Sequence, residues 1–278
     1  MAALLLAITS AVVWGTGDFL GGKASQRANP VAVAVVSQLA CLPVIGLFLL
    51  LLPGHGLTRA DIGWALVAGA TGLLGIVLLY HGLASGAMTV VAPITAVTAA
   101  ALPLVIGLFI DRMPGPLALT GAVLAVVAIG LVSAGPSRER HEVGRRLVGV
   151  ALAAGAMFGL FFTLLGQVRP GSGMWPLAFV RTGSLALGFA LCAWSRIPLK
   201  LPARTLRWAV PAGVFDIAAN AAYLAAAQLG PLSIVAPVAA LYPASTVLLA
   251  MAVERERVRP TQLAGLGLAA SALVLIAA

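Results

Sequence analysis

GAMTVVAP, residues 86–93, returns as GPLSIVAP at residues 230–237. Each stretch opens on a Gly and carries the same tripeptide into an apolar run: Val91-Ala92-Pro93 in the first, Val235-Ala236-Pro237 in the second. The register extends outward at the same offset. Trp14-Gly15 falls on Phe158-Gly159, Trp64 on Trp208, Gly69 on Gly213 and Pro116 on Pro260. Gly121, Leu124 and Ala125 then fall on Gly265, Leu268 and Ala269. Gly and Ala are common in this chain, so the Trp, the Pro and the tripeptide carry the match.

Composition says what kind of unit is repeated. Of 278 residues, 17 are Lys or Arg and 8 are Asp or Glu, a charged share of 9%. Soluble domains carry about a quarter. The apolar share is 61% and the mean hydropathy +1.08. Charges and Gly/Pro clusters divide the chain into ten apolar runs, at 2–21, 31–52, 62–82, 87–109, 116–134, 147–167, 174–195, 206–228, 232–253 and 261–278. Each has the length that a bilayer-spanning helix needs, about 20 residues. Two divisions rest on turn residues: His81-Gly82 and Gly86 in the uncharged stretch 62–110, and Gly230-Pro231 in 208–253. Met1 to Val13 has no Lys or Arg before it, so it is expected to be the first helix and not a signal peptide.

The expected fold class is therefore an all-α polytopic membrane protein, with ten transmembrane helices arranged as two five-helix repeats. Residues 1–134 form the first repeat, 135–146 a basic linker loop and 147–278 the second repeat. An odd number of crossings inverts the second copy relative to the first. Loop charge agrees, because basic residues concentrate on one side of a membrane. Arg59 alone follows the second run, whereas Arg196, Lys200, Arg204 and Arg207 follow the seventh. Arg112 follows the fourth run, and Arg255, Arg257 and Arg259 follow the ninth. Lys23 and Arg27 follow the first, against Arg169 alone after the sixth. Thirteen of the 17 basic residues fall in odd-numbered loops, which places those loops in the cytoplasm and both termini outside.

This composition leaves no room for a soluble enzyme, a nucleic-acid-binding domain or a disulfide scaffold. Cys41 and Cys192 both lie within apolar runs, and no Cys/His spacing suits a metal. No cofactor is expected. An intramembrane enzyme would need a nucleophile–base pair or paired acids at depth, and a channel would need a filter loop or polar ring; neither pattern is legible. The expected partners are a small-molecule substrate and the lipid bilayer, in a multi-pass protein of the cell (inner or plasma) membrane, as monomer or homodimer.

Two five-run copies with Trp14-Gly15 in the first helix, Ala92-Pro93 followed by Asp111, and Ala236-Pro237 followed by Glu254 resemble the drug/metabolite transporter superfamily, in its ten-helix EamA-type branch. The resemblance covers nearly the whole chain, and its motifs are diagnostic of architecture more than of substrate. It implies secondary transport of small metabolites, often export of amino acids, by alternating access between inverted halves. It also implies termini in the cytoplasm, against the charge count.

Charges inside apolar runs are the sharpest pointers to a site, because each is costly in hydrocarbon. Arg181 and Asp216 are such residues; the first copy has Ser37 and Gly72 at the matching positions. They read either as a bracing ion pair or as a site in which Arg181 binds a substrate carboxylate. Asn220 and Tyr223 share a helical face with Asp216. Trp14, Gln38, Tyr80 and Tyr242 complete the candidate binding set. Asp18 reads as a solvated carboxylate near a helix end or, with Asp216, as a proton-coupling group. His81 and Gln228 read as packing or interface residues, and the Glu254–Arg257 run as a solvated loop or a gating latch. Pro93, Pro103, Pro237 and Pro243 are candidate hinges, since proline removes a helical hydrogen bond. An amino acid or related zwitterion is the leading substrate class, and an amine or lipophilic cation the alternative.

Overall fold

The computed structural model describes residues 2–51, 54, 56–110, 116–133, 144–165, 167–169, 172–229, 239, 242–255 and 258–277. Helix accounts for nearly all of them, and no strand occurs among the described residues. In chain order the helices are α1 (Ala2–Ser25), α2 (Pro30–Ala40), α3 (Leu42–Leu51), α4 (Arg59–Ala84), α5 (Met88–Ile110) and α6 (Pro116–Ser133). There follow α7 (Arg145–Leu165), α8 (Trp175–Trp194), α9 (Ala203–Leu229), α10 (Tyr242–Leu249) and α11 (Pro260–Ala277). A π-helical turn, Ala250–Glu254, continues α10. Among the described residues, five segments, Ala2–Ser25, Pro30–Leu51, Arg59–Ala84, Arg145–Leu165 and Trp175–Trp194, are long and apolar enough to cross a membrane.

Local chemistry sets several boundaries. Asn29 accepts a hydrogen bond from the Val31 amide (2.9 Å) with Pro30 at the first helical position, so α2 starts there. Thr58 and Asp61 form a reciprocal capping box at the start of α4. The Asp61 carboxylate also accepts from the side chain of Arg169 (3.0 Å). The second run, expected unbroken over 31–52, divides at Cys41, whose amide donates to Leu39. Pro43 supplies the physical reason: it has no amide proton, and its ring crowds the carbonyl four residues back. Of the residues expected to mark the next turn, Gly86 does so, at φ 84°, together with Ser85, whereas His81 and Gly82 remain helical because α4 continues through both to Ala84. His81 itself is exposed in the last turn of α4.

Packing links the two copies by exchange. Helix α1 lies antiparallel to α9: Ala7 packs with Ala226, and the Ser10 hydroxyl donates to the Ala219 carbonyl (2.9 Å). Helix α4 lies antiparallel to α7 in the same way, with Gly75 against Phe158 and Gly72 against Phe161. At the repeat offset these are the same helix pair with the copies swapped. Gly69 and Gly213, another matched pair, show why small residues sit here. A Cβ on Gly69 would stand 2.0 Å from the Val180 carbonyl oxygen, and one on Gly213 1.8 Å from that of Ser37. Helices in a bilayer associate through such close backbone approach.

The alternating chain directions put Lys23, Arg27, Arg196, Lys200, Arg204, Arg207, Arg255 and Arg259 at one end of the bundle, with Arg59 and Arg169 at the other. The largest buried cluster occupies the basic end, around Phe19, Leu79, Leu83, Met88 and Val91. Lys23 forms an ion pair there with Glu254, tying the end of α1 to the end of the π turn. Glu254 is thus engaged, unlike a freely solvated loop residue; Glu256 and Arg257 lie outside the described residues.

Candidate functional site

Arg181 projects from the first half of α8 and is buried. A guanidinium there needs partners, and the neighbouring helices supply them. One terminal nitrogen donates to Asp216 on α9 as an ion pair, and the other donates to the Gln38 amide oxygen on α2. The remaining donor, Arg181 Nε, is buried with no partner among the described residues. Asp216 is held on two further sides. Trp14 Nε1 donates to its Oδ1 (3.1 Å), and the Asn220 side chain donates to its backbone carbonyl (2.7 Å). The Trp14 ring lies between Tyr223 and Tyr242, with centroids 6.4 and 5.9 Å away.

These groups stand on the wall of a cavity of about 80 Å³ bounded by α1, α4, α7, α8, α9 and α10. Trp14, Asp18, Tyr80, Arg181, Asp216, Asn220 and Tyr242 all line it. Gln38 reaches it through Arg181, and Tyr223 through Trp14. The fold therefore brings together every proposed substrate-contacting residue, from helices far apart in sequence. Asp18 is the clearest change from the sequence expectation of a solvated helix end. Helix α1 runs on to Ser25, so Asp18 is partly buried and faces the cavity. It has no hydrogen-bond or ion-pair partner among the described residues. Tyr80 is buried and lines the same cavity.

Several lining residues escaped the sequence reading. Phe158, Phe161 and Phe162 make the α7 wall, and Phe162 is 45% exposed at the rim. One signal was available: Phe158 is the repeat counterpart of Trp14, and both face the same cavity. Pro211 is another omission, a proline inside α9 beside the lining residue Ala212. Among the proposed hinges, Pro93 and Pro103 lie within a continuous α5, and Pro243 is buried in α10. Pro237 lies outside the described residues, as do Asp111, Arg112 and the Gln228 side chain.

The site can do two things chemically. It presents one guanidinium and two carboxylates to a small space walled by aromatic rings, so it can hold a charged or zwitterionic molecule. Asp18, lacking a cation of its own, can accept either a proton or a substrate ammonium. No group of three or more His, Cys, Asp or Glu suited to a metal occurs among the described residues.

Comparison with curated proteins finds no match. A family model described as the EamA-like transporter family matches residues 1–134 and again residues 146–278, one match on each copy. The two matches, the apolar helices and the all-helical architecture agree, and the chain belongs to the EamA-like transporter family, as a multi-pass membrane transporter of small molecules.

Proposed function

We propose that this chain is a secondary active transporter that moves a small metabolite, an amino acid or related zwitterion, in the direction of export, across the cell membrane by alternating access. Ten crossings in two inverted halves, 1–134 and 147–278 joined by a basic linker, are the architecture this reading uses. The antiparallel pairs α1–α9 and α4–α7, with the copies exchanged, support it. So does the concentration of basic residues at one end, which this reading assigns to the cytoplasm.

One observation carries the substrate reading. Among the described residues, the Arg181 Nε donor and the Asp18 carboxylate have no partner, and both residues line one cavity. A zwitterion brings an acceptor for the first and a donor for the second. The aromatic wall of Trp14, Tyr80, Tyr242 and Phe158 accommodates its side chain.

A second reading has its own support. Asp216 already neutralises Arg181, which leaves Asp18 as the surplus charge. A cavity with a surplus carboxylate and aromatic faces suits an amine or organic cation. Proton coupling through Asp18 fits either substrate.

Alternating access needs one end sealed while the other opens. The core around Leu83 and Met88 and the Lys23–Glu254 pair seal the basic end, while Phe162 marks an exposed rim towards the opposite end. Reconstitution into liposomes with a panel of neutral amino acids, basic amino acids and monoamines tests the proposal. Saturable flux of amino acids that depends on Arg181 supports the first reading. Flux of amines alone supports the second, and no flux of either class removes both.

A further inference from the structure

The charged cavity has two unlike walls, built from counterpart helices. Its charged lining residues, Asp18, Arg181 and Asp216, come from α1, α8 and α9. At the repeat offset their counterparts are Phe162, Ser37 and Gly72. Phe162 and Gly72 line the same cavity from α7 and α4, together with Ile76, Phe158 and Phe161. Among the described lining residues, Tyr80 carries the only hydroxyl on that α4–α7 wall. A ligand with one charged group and one apolar part is therefore oriented. Its charge meets α1, α8 and α9, and its carbon meets α4 and α7.

Phe161 is the most tightly seated ring on the apolar wall. It packs against the cluster of Ala65, Ala68 and Val180, and Val180 adjoins Arg181 in the chain. The Phe162 ring stands edge-on to it, with centroids 5.1 Å apart. On α4 only a glycine clears it: a Cβ on Gly72 would stand 3.0 Å from the Phe161 ring. Held on these sides, the ring presents itself to the cavity. The space left is about 80 Å³. An apolar cavity needs about 150 Å³ to take up benzene. Beside a charged head group, this one has room for a short aliphatic chain and none for an aromatic ring.

We propose that Phe161, seated on Gly72, sets the size of substrate that the cavity admits, so that a short aliphatic chain is carried and an aromatic one is rejected. Size selection of this kind rests on the transport reading above. It holds for either head group, because the residues that meet the charge stand on other helices.

The test uses the purified full chain in liposomes, with alanine against phenylalanine and ethylamine against phenethylamine. Each pair shares a head group and differs in its apolar part. The unmodified chain is expected to favour the short member of the transported pair, in kcat/KM. Phe161→Ala shifts that ratio about tenfold or more towards the aromatic member, since even one methylene in an apolar pocket discriminates about 10- to 200-fold. If that variant does not fold, Phe161→Leu shifts the ratio in the same direction. Gly72→Ala crowds the ring and raises KM for the short member, and Gly72→Ala/Phe161→Ala cancels the rise. Phe189→Ala, an exposed ring of α8 away from the cavity, preserves the ratio. No flux of either pair removes the transport reading and this proposal with it. Flux that favours the aromatic member in the unmodified chain, or a ratio that Phe161→Ala leaves unchanged, overturns this proposal alone.

Discussion

Replacing Asp216 by Asn strips the charge from one end of a buried ion pair while leaving the shape of the side chain almost unchanged. Arg181 is only 7% exposed, and Asp216 25%. In the variant the guanidinium keeps Gln38 but loses its counter-charge, in a bundle where water is scarce. Breaking a buried pair from one side costs about 3–5 kcal/mol. The quarter exposure of Asp216 puts this pair near the lower bound, at about 3 kcal/mol. Asn can still accept from Trp14 Nε1, so little of that loss is the Trp14 hydrogen bond. Arg181→Gln is expected to cost a similar amount, because it leaves the carboxylate unpaired. The double variant removes both charges and recovers part of each penalty, so the coupling energy in a double-mutant cycle should be about 2 kcal/mol. Reversible unfolding in mixed micelles measures all three variants. Liposome flux adds a functional readout: with Arg181 unpaired, Asp216→Asn should shift preference from zwitterions towards anions. Additive single-variant effects, with coupling below about 0.5 kcal/mol, would refute the reasoning, because the two groups would then be energetically independent despite their contact.

Three further outcomes are expected. Asp18→Asn should abolish proton movement coupled to substrate, read with a pH-sensitive dye inside liposomes; gradient-driven transport that persists in the variant removes Asp18 as the coupling group. Glu254→Gln releases Lys23 at the basic end. A partly buried pair is worth about 1 kcal/mol, so labelling of a cysteine placed at buried Leu83 should quicken about fivefold, and an unchanged rate argues against a latch. Gly213→Ala drives a methyl into the Ser37 carbonyl, so a loss of about 1–3 kcal/mol is expected from overpacking; unfolding at the unmodified midpoint would show that α2 and α9 separate freely.

The membrane class and the two copies were legible in the linear sequence because both are properties of local runs. Hydropathy over about 20 residues reports the solvent that a helix meets, and a fixed offset needs no knowledge of contacts. Helical spacing likewise placed Asp216, Asn220 and Tyr223 on one face before any neighbour was known. Even so, local pattern began the turn after α4 too early, though it marked Gly86, and missed the break at Cys41. Both depend on how backbone hydrogen bonds are shared around Gly86 and Pro43.

The tertiary structure alone decided who faces whom. Gln38 and Arg181 are 143 residues apart and Trp14 and Asp216 are 202 apart, yet each pair is in contact. Nothing in the spacing of apolar residues states which helices adjoin, because Ala, Gly and Leu pack against almost any partner in a bilayer. Neighbours are chosen by glycine-sized clearances such as those at Gly69 and Gly213, which exist only once two helices cross. That choice turns Asp18 from a helix-end carboxylate into a cavity wall and joins Glu254 to Lys23. It also leaves the Arg181 Nε donor with no partner among the described residues, the feature on which the substrate reading rests.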